Sequence, residues 1–226
     1  MTITVHHLHN SRSQRILWLL EELGLPYEYK EYARDPVTQR SPPEYLKIHP
    51  LGKSPVITDG DITIAESGAI IEYIIKKYGN GKFAPSEAQY VEELYFTHYT
   101  EGSFMPVLVN KLIFIISPKQ ASWIMRPLLR LVFGGLIASF LNPEIKKHTD
   151  FLESHFKKNQ GKFIAGGDDL TGADFNMIFA LEMMVAMKLG DCGPATMEYL
   201  QKLRARPGFQ KAIEKSGDTI AIPEIS

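Results

Sequence analysis

The chain has 226 residues, 44% of them hydrophobic and 23% charged, a balance ordinary for soluble globular protein and sufficient for a real core. Lys and Arg number 25 against 26 Asp and Glu, so the whole-chain field favours neither nucleic acid nor an anionic membrane surface, and an anion has to be bound locally. The single cysteine, Cys192, excludes an intramolecular disulfide, a C-x-x-C redox pair and a cysteine-rich zinc site, and a reducing, cytoplasmic setting is expected.

The start, Met1 to His6, has neither the basic residues nor the apolar run of a secretory signal, and export is not expected. Ile3 and Val5 alternate with threonines and predict a strand. Ile16, Leu19, Leu20 and Leu23 then share one helical face, which Gly24 and Pro26 end. Tyr27 to Tyr32 reads as a second strand, and Pro42-Pro43-Glu44 opens a short helix. Val56-Ile57-Thr58 and Ile62-Thr63-Ile64 flank Asp59-Gly60-Asp61 and predict a hairpin. Ser67 suits an N-cap, followed at helical spacing by Ile70, Ile71, Ile74, Ile75 and Tyr78 up to Gly79. The order is βαβαββα over residues 1–80.

A linker is placed near residues 79–87. From residue 88 to 226 the β-like runs vanish, and helices of roughly 15 to 25 residues are expected, broken by Pro118, Pro143 and Pro194. Leu128 to Leu141 is the most apolar stretch. Arg130 and Gly134-Gly135 interrupt it, so it is expected to pack against a helix or ligand rather than to span lipid, with association at a membrane surface the minor alternative. Thr171-Gly172-Ala173-Asp174, between Leu170 and Phe175, has the pattern of a capping box with a hydrophobic staple and opens a core helix.

One segment reads as a binding site. Ser54-Pro55 puts a proline at a strand start, where a cis bond is plausible and the Val56 amide and carbonyl are left to pair with an extended peptide. Glu66-Ser67-Gly68 places a carboxylate and a hydroxyl at a helix N-terminus, a setting that binds a carboxylate through amides and an ammonium through Glu66. With Lys53 adding a cation, Gly52 to Ser67 is expected to grip the backbone and charged amino-terminal end of a small peptide.

The order of elements, with His49-Pro50-Leu51-Gly52-Lys53-Ser54-Pro55 and Ala65-Glu66-Ser67 ahead of an all-helical region, resembles the cytosolic glutathione transferases across essentially the whole chain. Asn10-Ser11-Arg12-Ser13-Gln14-Arg15 before Ile16-Leu17-Trp18 is similar to the start of serine-type members, closest to fungal and bacterial ones. The resemblance implies a thioredoxin-like domain that binds glutathione, a helical domain with a hydrophobic co-substrate pocket, and a homodimer. It implies Ser11 as the hydroxyl that hydrogen-bonds the glutathione sulfur, with Ser13 and Asn10 as competitors. Lys53 and Arg40 (or Gln39) would face the glycyl carboxylate, Ser54, Pro55 and Val56 the cysteinyl backbone, and Glu66 with Ser67 the γ-glutamyl end. Tyr99, Phe104, Met105 and Leu108 are the candidates for the co-substrate pocket.

The expected reaction is conjugation of the glutathione thiolate to hydrophobic electrophiles. Peroxide reduction, isomerisation, dehalogenation and a non-enzymatic carrier role are the alternatives. The histidines form no H-x-x-x-H or H-E-x-x-H pattern, and no metal is expected. Cys192 is expected to be structural or idle rather than a nucleophile.

Overall fold

A computed structural model describes residues 2–217. The nine residues 218–226, which the helical region was expected to include, lie outside the described residues.

β1 (Ile3–Leu8) leads into α1 (Gln14–Leu23), β2 (Tyr27–Tyr32), the single turn α2 (Pro43–Leu46), β3 (Val56–Asp59), β4 (Ile62–Ala65) and α3 (Ser67–Tyr78), the order the hydrophobic periods predict. The sheet runs β2-β1-β3-β4. β1 is parallel to β2 in the register Ile3 to Tyr27, as a crossover through α1 requires, and β3 pairs antiparallel with both β1 and β4. Gly60, at φ 61°, makes the tight turn of the β3–β4 hairpin. Every residue of β1 is buried, and the strand is paired on both edges, with β2 and β3.

The helical region comprises α4 (Tyr90–Tyr99), α5 (Met105–Gln120), α6 (Arg126–Leu136), α7 (Asn142–Lys158), α8 (Gly172–Ala186), α9 (Pro194–Arg204) and α10 (Pro207–Ser216). The prolines act differently from expectation. Of the three expected to break helices, only Pro194 starts a separate one. Helical backbone is continuous over Tyr90–Gln120, 31 residues, and Arg126–Lys158, 33 residues. Ahead of Pro106 and Pro143 the ladder widens into π-turns at Thr100–Phe104 and Ile137–Leu141. A proline cannot donate to the carbonyl four residues back, and the wider turn keeps the helical path going where that bond is missing. Pro118 lies in the last turn of α5.

One core joins both halves. Trp18 of α1 is fully buried against Phe175 of α8, ring centroids 4.3 Å apart, and edge-on to Phe209 of α10. Arg15, 1% exposed, crosses the same junction. Its Nη1 donates to the Asn176 carbonyl at 3.0 Å and lies 2.8 Å from Glu101 Oε1, and burial lowers its pKa to about 10. The capping box of α8 forms as its sequence predicts: Thr171 N–H donates to Asp174 Oδ2 at 2.8 Å, while Ile164 N–H and the Tyr199 hydroxyl donate to Oδ1 at 3.0 and 2.7 Å. α3 starts one residue earlier than the cap expectation. Glu66 holds the cap position and Ser67 is the first helical residue.

Candidate active site

The turn from β1 into α1 builds the centre of the site. Asn10 takes a positive φ of 51°, which an asparagine tolerates better than most residues, and the chain then doubles back so that Ser11 and Ser13 both point beneath the start of α1. Ser11 Oγ hydrogen-bonds Ser13 Oγ at 2.8 Å and Ser54 Oγ at 2.9 Å. Ser13 Oγ in turn hydrogen-bonds His7 Nδ1 at 2.7 Å. A line of four side chains therefore runs from a fully buried imidazole on β1 to the Ser11 and Ser54 hydroxyls beside the cleft. Ser11 is 8% exposed and borders the cleft; Ser13 and His7 are completely covered. Of the three candidates for a thiol partner, Ser11 and Asn10 line the open volume, and Ser13 supports Ser11 from behind.

The cleft has a volume of about 660 Å³ and two unlike walls. One is cationic and hydroxylic, formed by Arg12, Arg34, Arg40, Lys53, Ser41 and Ser54, and among the described residues no carboxylate lines the cleft. Arg34 fixes the loop on that wall: its Nε donates to the His9 carbonyl at 2.8 Å, Nη2 to the Asn10 carbonyl at 3.2 Å and Nη1 to the Gln39 carbonyl at 3.0 Å. It thereby ties the serine turn to the segment that presents Gln39 and Arg40. Gly52 closes the corner at φ 58°. A β-carbon there would stand 2.5 Å from Ser41 Oγ and 2.7 Å from Leu46, so the close approach of the two loops depends on glycine. Ser54 follows, joined to Pro55 by a cis peptide bond.

The opposite wall is apolar, with Met105 and Val109 from α5 and Phe179 and Met183 from α8. Arg12 lies at the seam of the two walls, 3.6 Å from Glu101, with its guanidinium 5.7 Å from the Phe179 ring centre.

The residues read from sequence are thus distributed unevenly. Ser11, Arg40, Lys53 and Ser54 share one cleft. Pro55 and Val56 are buried behind Ser54, Val56 between His6 of β1 and Ala65 of β4, so Ser54 and not Val56 faces the open volume. Glu66 is exposed at a positive φ of 71°, a conformation rare for glutamate, and Ser67 is buried at the first turn of α3. Neither borders the cleft proper. Among the apolar candidates Met105 is on the wall, whereas Phe104 and Leu108 are fully buried in the core and Tyr99 packs inward with its hydroxyl 2.8 Å from His148 Nδ1. The helix period put all four on one helix, but the π-turn at Thr100–Phe104 rotates the following face, and Met105 and Val109 reach the cleft.

Sequence reasoning missed Arg12, Arg34, Val109, Phe179, Met183 and the role of His7. Phe179 and Met183 do sit four residues apart on α8, the separation that places two side chains on one helical face.

Comparison with known proteins bears on the fold and the family. The N-terminal domain model of glutathione S-transferases matches residues 1–76 and a C-terminal domain model of the same family matches residues 136–216. Glutathione S-transferase 1 of Saccharomyces cerevisiae is 34% identical over 227 aligned residues that cover 95% of each chain. The chain belongs to the glutathione S-transferase family. Glutathione S-transferase 3 of Schizosaccharomyces pombe is 38% identical over 79% of this chain and 73% of its own length. Among solved structures, a glutathione S-transferase of Actinobacillus pleuropneumoniae superposes with a TM-score of 0.78 at 30% identity, covering 100% of this chain and 97% of its own. A Phanerochaete chrysosporium glutathione transferase solved with oxidized glutathione gives 0.71 at 26% identity, covering 96% of both chains. The family's two-domain pattern is the one the element order here predicts.

Elsewhere, burial raises the Cys192 thiol to about 11, which keeps it protonated near neutral pH. Among the described residues no group of three or more His, Cys, Asp or Glu is placed to hold a metal.

Proposed function

We propose that this protein conjugates the thiolate of glutathione to apolar electrophiles, in the cytoplasm and as a homodimer. The observation that carries this reading is the cleft itself, in which the Ser11 hydroxyl stands between a cationic, carboxylate-free wall and an apolar one. A tripeptide with two carboxylates and a thiol matches the first wall, and a hydrophobic reaction partner matches the second.

The residues divide the task by their chemistry. Lys53 and Arg40 neutralise the glycyl carboxylate. Ser54 meets the cysteinyl backbone, with Pro55 and Val56 packed behind it, and Glu66 with Ser67 at the start of α3 receives the γ-glutamyl end. Ser11 Oγ donates its hydrogen bond to the sulfur. A hydrogen bond to a charged group contributes about 1.5–3 kcal/mol and the nearby N-terminus of α1 about 0.3–1, enough to lower a thiol pKa by one to two units, which needs roughly 1.4–2.7. The thiol proton leaves to solvent. The sulfur lone pair forms the new C–S bond, and the electrophile's leaving group departs with its bonding electrons, or its π electrons take up the charge where it has no leaving group. Met105, Val109, Phe179 and Met183 hold the electrophile against the sulfur and exclude water, so that proximity supplies the remaining acceleration.

The homodimer reading rests on α4, where Val91 is 71% exposed and Tyr90, Leu94 and Tyr95 are exposed as well, and on exposed Ile62 of β4. The division into a peptide-binding domain at 1–80 and a pocket-forming helical domain from 88 onward follows the two walls of the cleft.

Turnover with an activated aryl halide tests the reaction, and Ser11→Ala tests the assignment. A fall in kcat of about tenfold to a hundredfold is expected. Unchanged turnover in that variant would remove Ser11 from its role, and glutathione binding with no conjugation across a broad panel of electrophiles would favour a carrier.

A further inference from the structure

The hairpin formed by α5 and α6 carries a face that none of the described residues covers. None of the eleven residues of α6 is buried. Leu129, Phe133 and Ile137 turn partly toward α5, where Phe133 stacks on Phe114 with ring centres 4.9 Å apart. A second stripe on α6 points away from the protein. Leu128, Val132 and Leu136, continued by Phe140 in the π-turn that follows, come at intervals of four and are all exposed, Phe140 by 67%, and Leu131 is 75% exposed. At the tip, in the loop between the two helices, Trp123 is 77% and Ile124 67% exposed. Isolated exposed apolar side chains are ordinary, but a contiguous stripe with a tryptophan at its end marks a surface that meets a partner.

The charges around this face decide which partner. Between Glu101 and Glu144 the chain has no Asp or Glu, while Lys119, Arg126 and Arg130 lie at the hairpin end; Lys111 turns away to the Leu189 carbonyl. A second copy seated on the same face by a two-fold axis would set these cations against their own counterparts, with no acid of the hairpin to offset them. An anionic lipid headgroup layer complements them. Apolar side chains and an indole at the depth of the headgroups, flanked by Lys and Arg, are what holds an amphipathic helix in a membrane interface. The long helical runs do not cross. Their other halves are fixed in the core by Phe96 and Leu108 and by Ile145, Leu152 and Phe156, so only the hairpin end is free to enter the interface.

We propose that the α5–α6 hairpin docks this protein on bilayers that carry anionic phospholipid. The site is distinct from the cleft, though Met105 and Val109 at the base of α5 belong to the cleft wall.

The test is flotation of the full chain with vesicles of phosphatidylcholine alone and with about a quarter phosphatidylserine. Trp18 is fully buried, so a blue shift of tryptophan emission on vesicles reports Trp123. The expected result is partition at least about tenfold stronger into the anionic vesicles, a blue shift, and a loss of about tenfold in the double variant Arg126→Glu/Arg130→Glu and in Trp123→Ser/Leu131→Ser. Both variants are expected to keep glutathione-agarose binding and the thermal unfolding temperature, because every changed residue is exposed and outside the cleft. Absence of partition of the wild type into either vesicle, or partition that both variants retain, would overturn the proposal. So would a drop in sedimentation mass in Trp123→Ser/Leu131→Ser, which would assign the face to a second copy.

Discussion

His7 Nδ1 hydrogen-bonds the Ser13 hydroxyl at 2.7 Å, inside a fully buried pocket beneath the turn that carries Ser11. The hydrogen on Nδ1 decides the direction of the whole line. If Nδ1 donates, the Ser13 proton points to Ser11 and the Ser11 proton is left for the cleft. His7→Leu is expected to lower kcat by about tenfold and to move the acid limb of the pH–rate profile upward, since a thiol whose thiolate is less well stabilised deprotonates at higher pH. His7→Asn, which restores a donor, is expected to recover most of both. A pH profile identical to wild type in His7→Leu would refute the relay.

The cationic wall is expected to act through binding rather than turnover. Lys53→Ala should raise the KM for glutathione by about tenfold with kcat nearly unchanged, and Arg40→Ala by less, because Arg34 remains beside it. Calorimetric titration with glutathione checks both.

Val109 sets the width of the apolar wall. Val109→Phe is expected to cut kcat/KM for a bulky electrophile by about tenfold while the glutathione dissociation constant stays within error. A parallel loss of glutathione affinity would mean that the two walls are not separate subsites.

Asp174 is fully buried and caps α8 while also accepting from Ile164 and Tyr199. Asp174→Ala strands these donors and is expected to cost about 3 kcal/mol in urea unfolding, most of it from unpaired buried groups.

Asp59, at the end of β3, accepts from Tyr73 at 2.6 Å and Lys77 at 2.7 Å, and these hydrogen bonds outweigh its burial to hold its pKa at about 2. A depressed carboxylate contributes stability that is complete above its unfolded value near 3.8 and is lost as the pH falls through 2. Thermal unfolding of Asp59→Asn is therefore expected to lie below wild type at pH 7, and the gap to close toward pH 2.

The peptide-binding half was legible because local physics writes it into short segments. Alternating β-branched residues mark the strands, Gly24 and Gly79 end helices, and the run from Gly52 to Ser54 sits at a corner only glycine can turn. His7 is one of seven histidines, none of them in a metal-binding pattern, and no local signal sets it apart. It acquires a partner only when the β1–α1 turn folds back and brings Ser13 beneath it. The apolar wall failed for a similar reason: the period of 3.6 counts faces correctly along an unbroken helix, and the π-turn before Pro106 resets the count, sending Phe104 and Leu108 into the core and Val109 to the cleft.

The sequence alone determined the order of elements, the capping of α8, the family and the hydroxyl-rich turn, since each depends on residues close together in the chain. The tertiary structure decided what depends on distant segments meeting: a line of hydroxyls from His7 to Ser54, a cation-lined wall with no carboxylate, and an uncovered apolar hairpin. A net charge of −1 is a sum over the whole chain and hides where the charges sit. Contacts between remote residues and local concentrations of one charge are set by the path of the backbone, and that path is fixed only when the core closes.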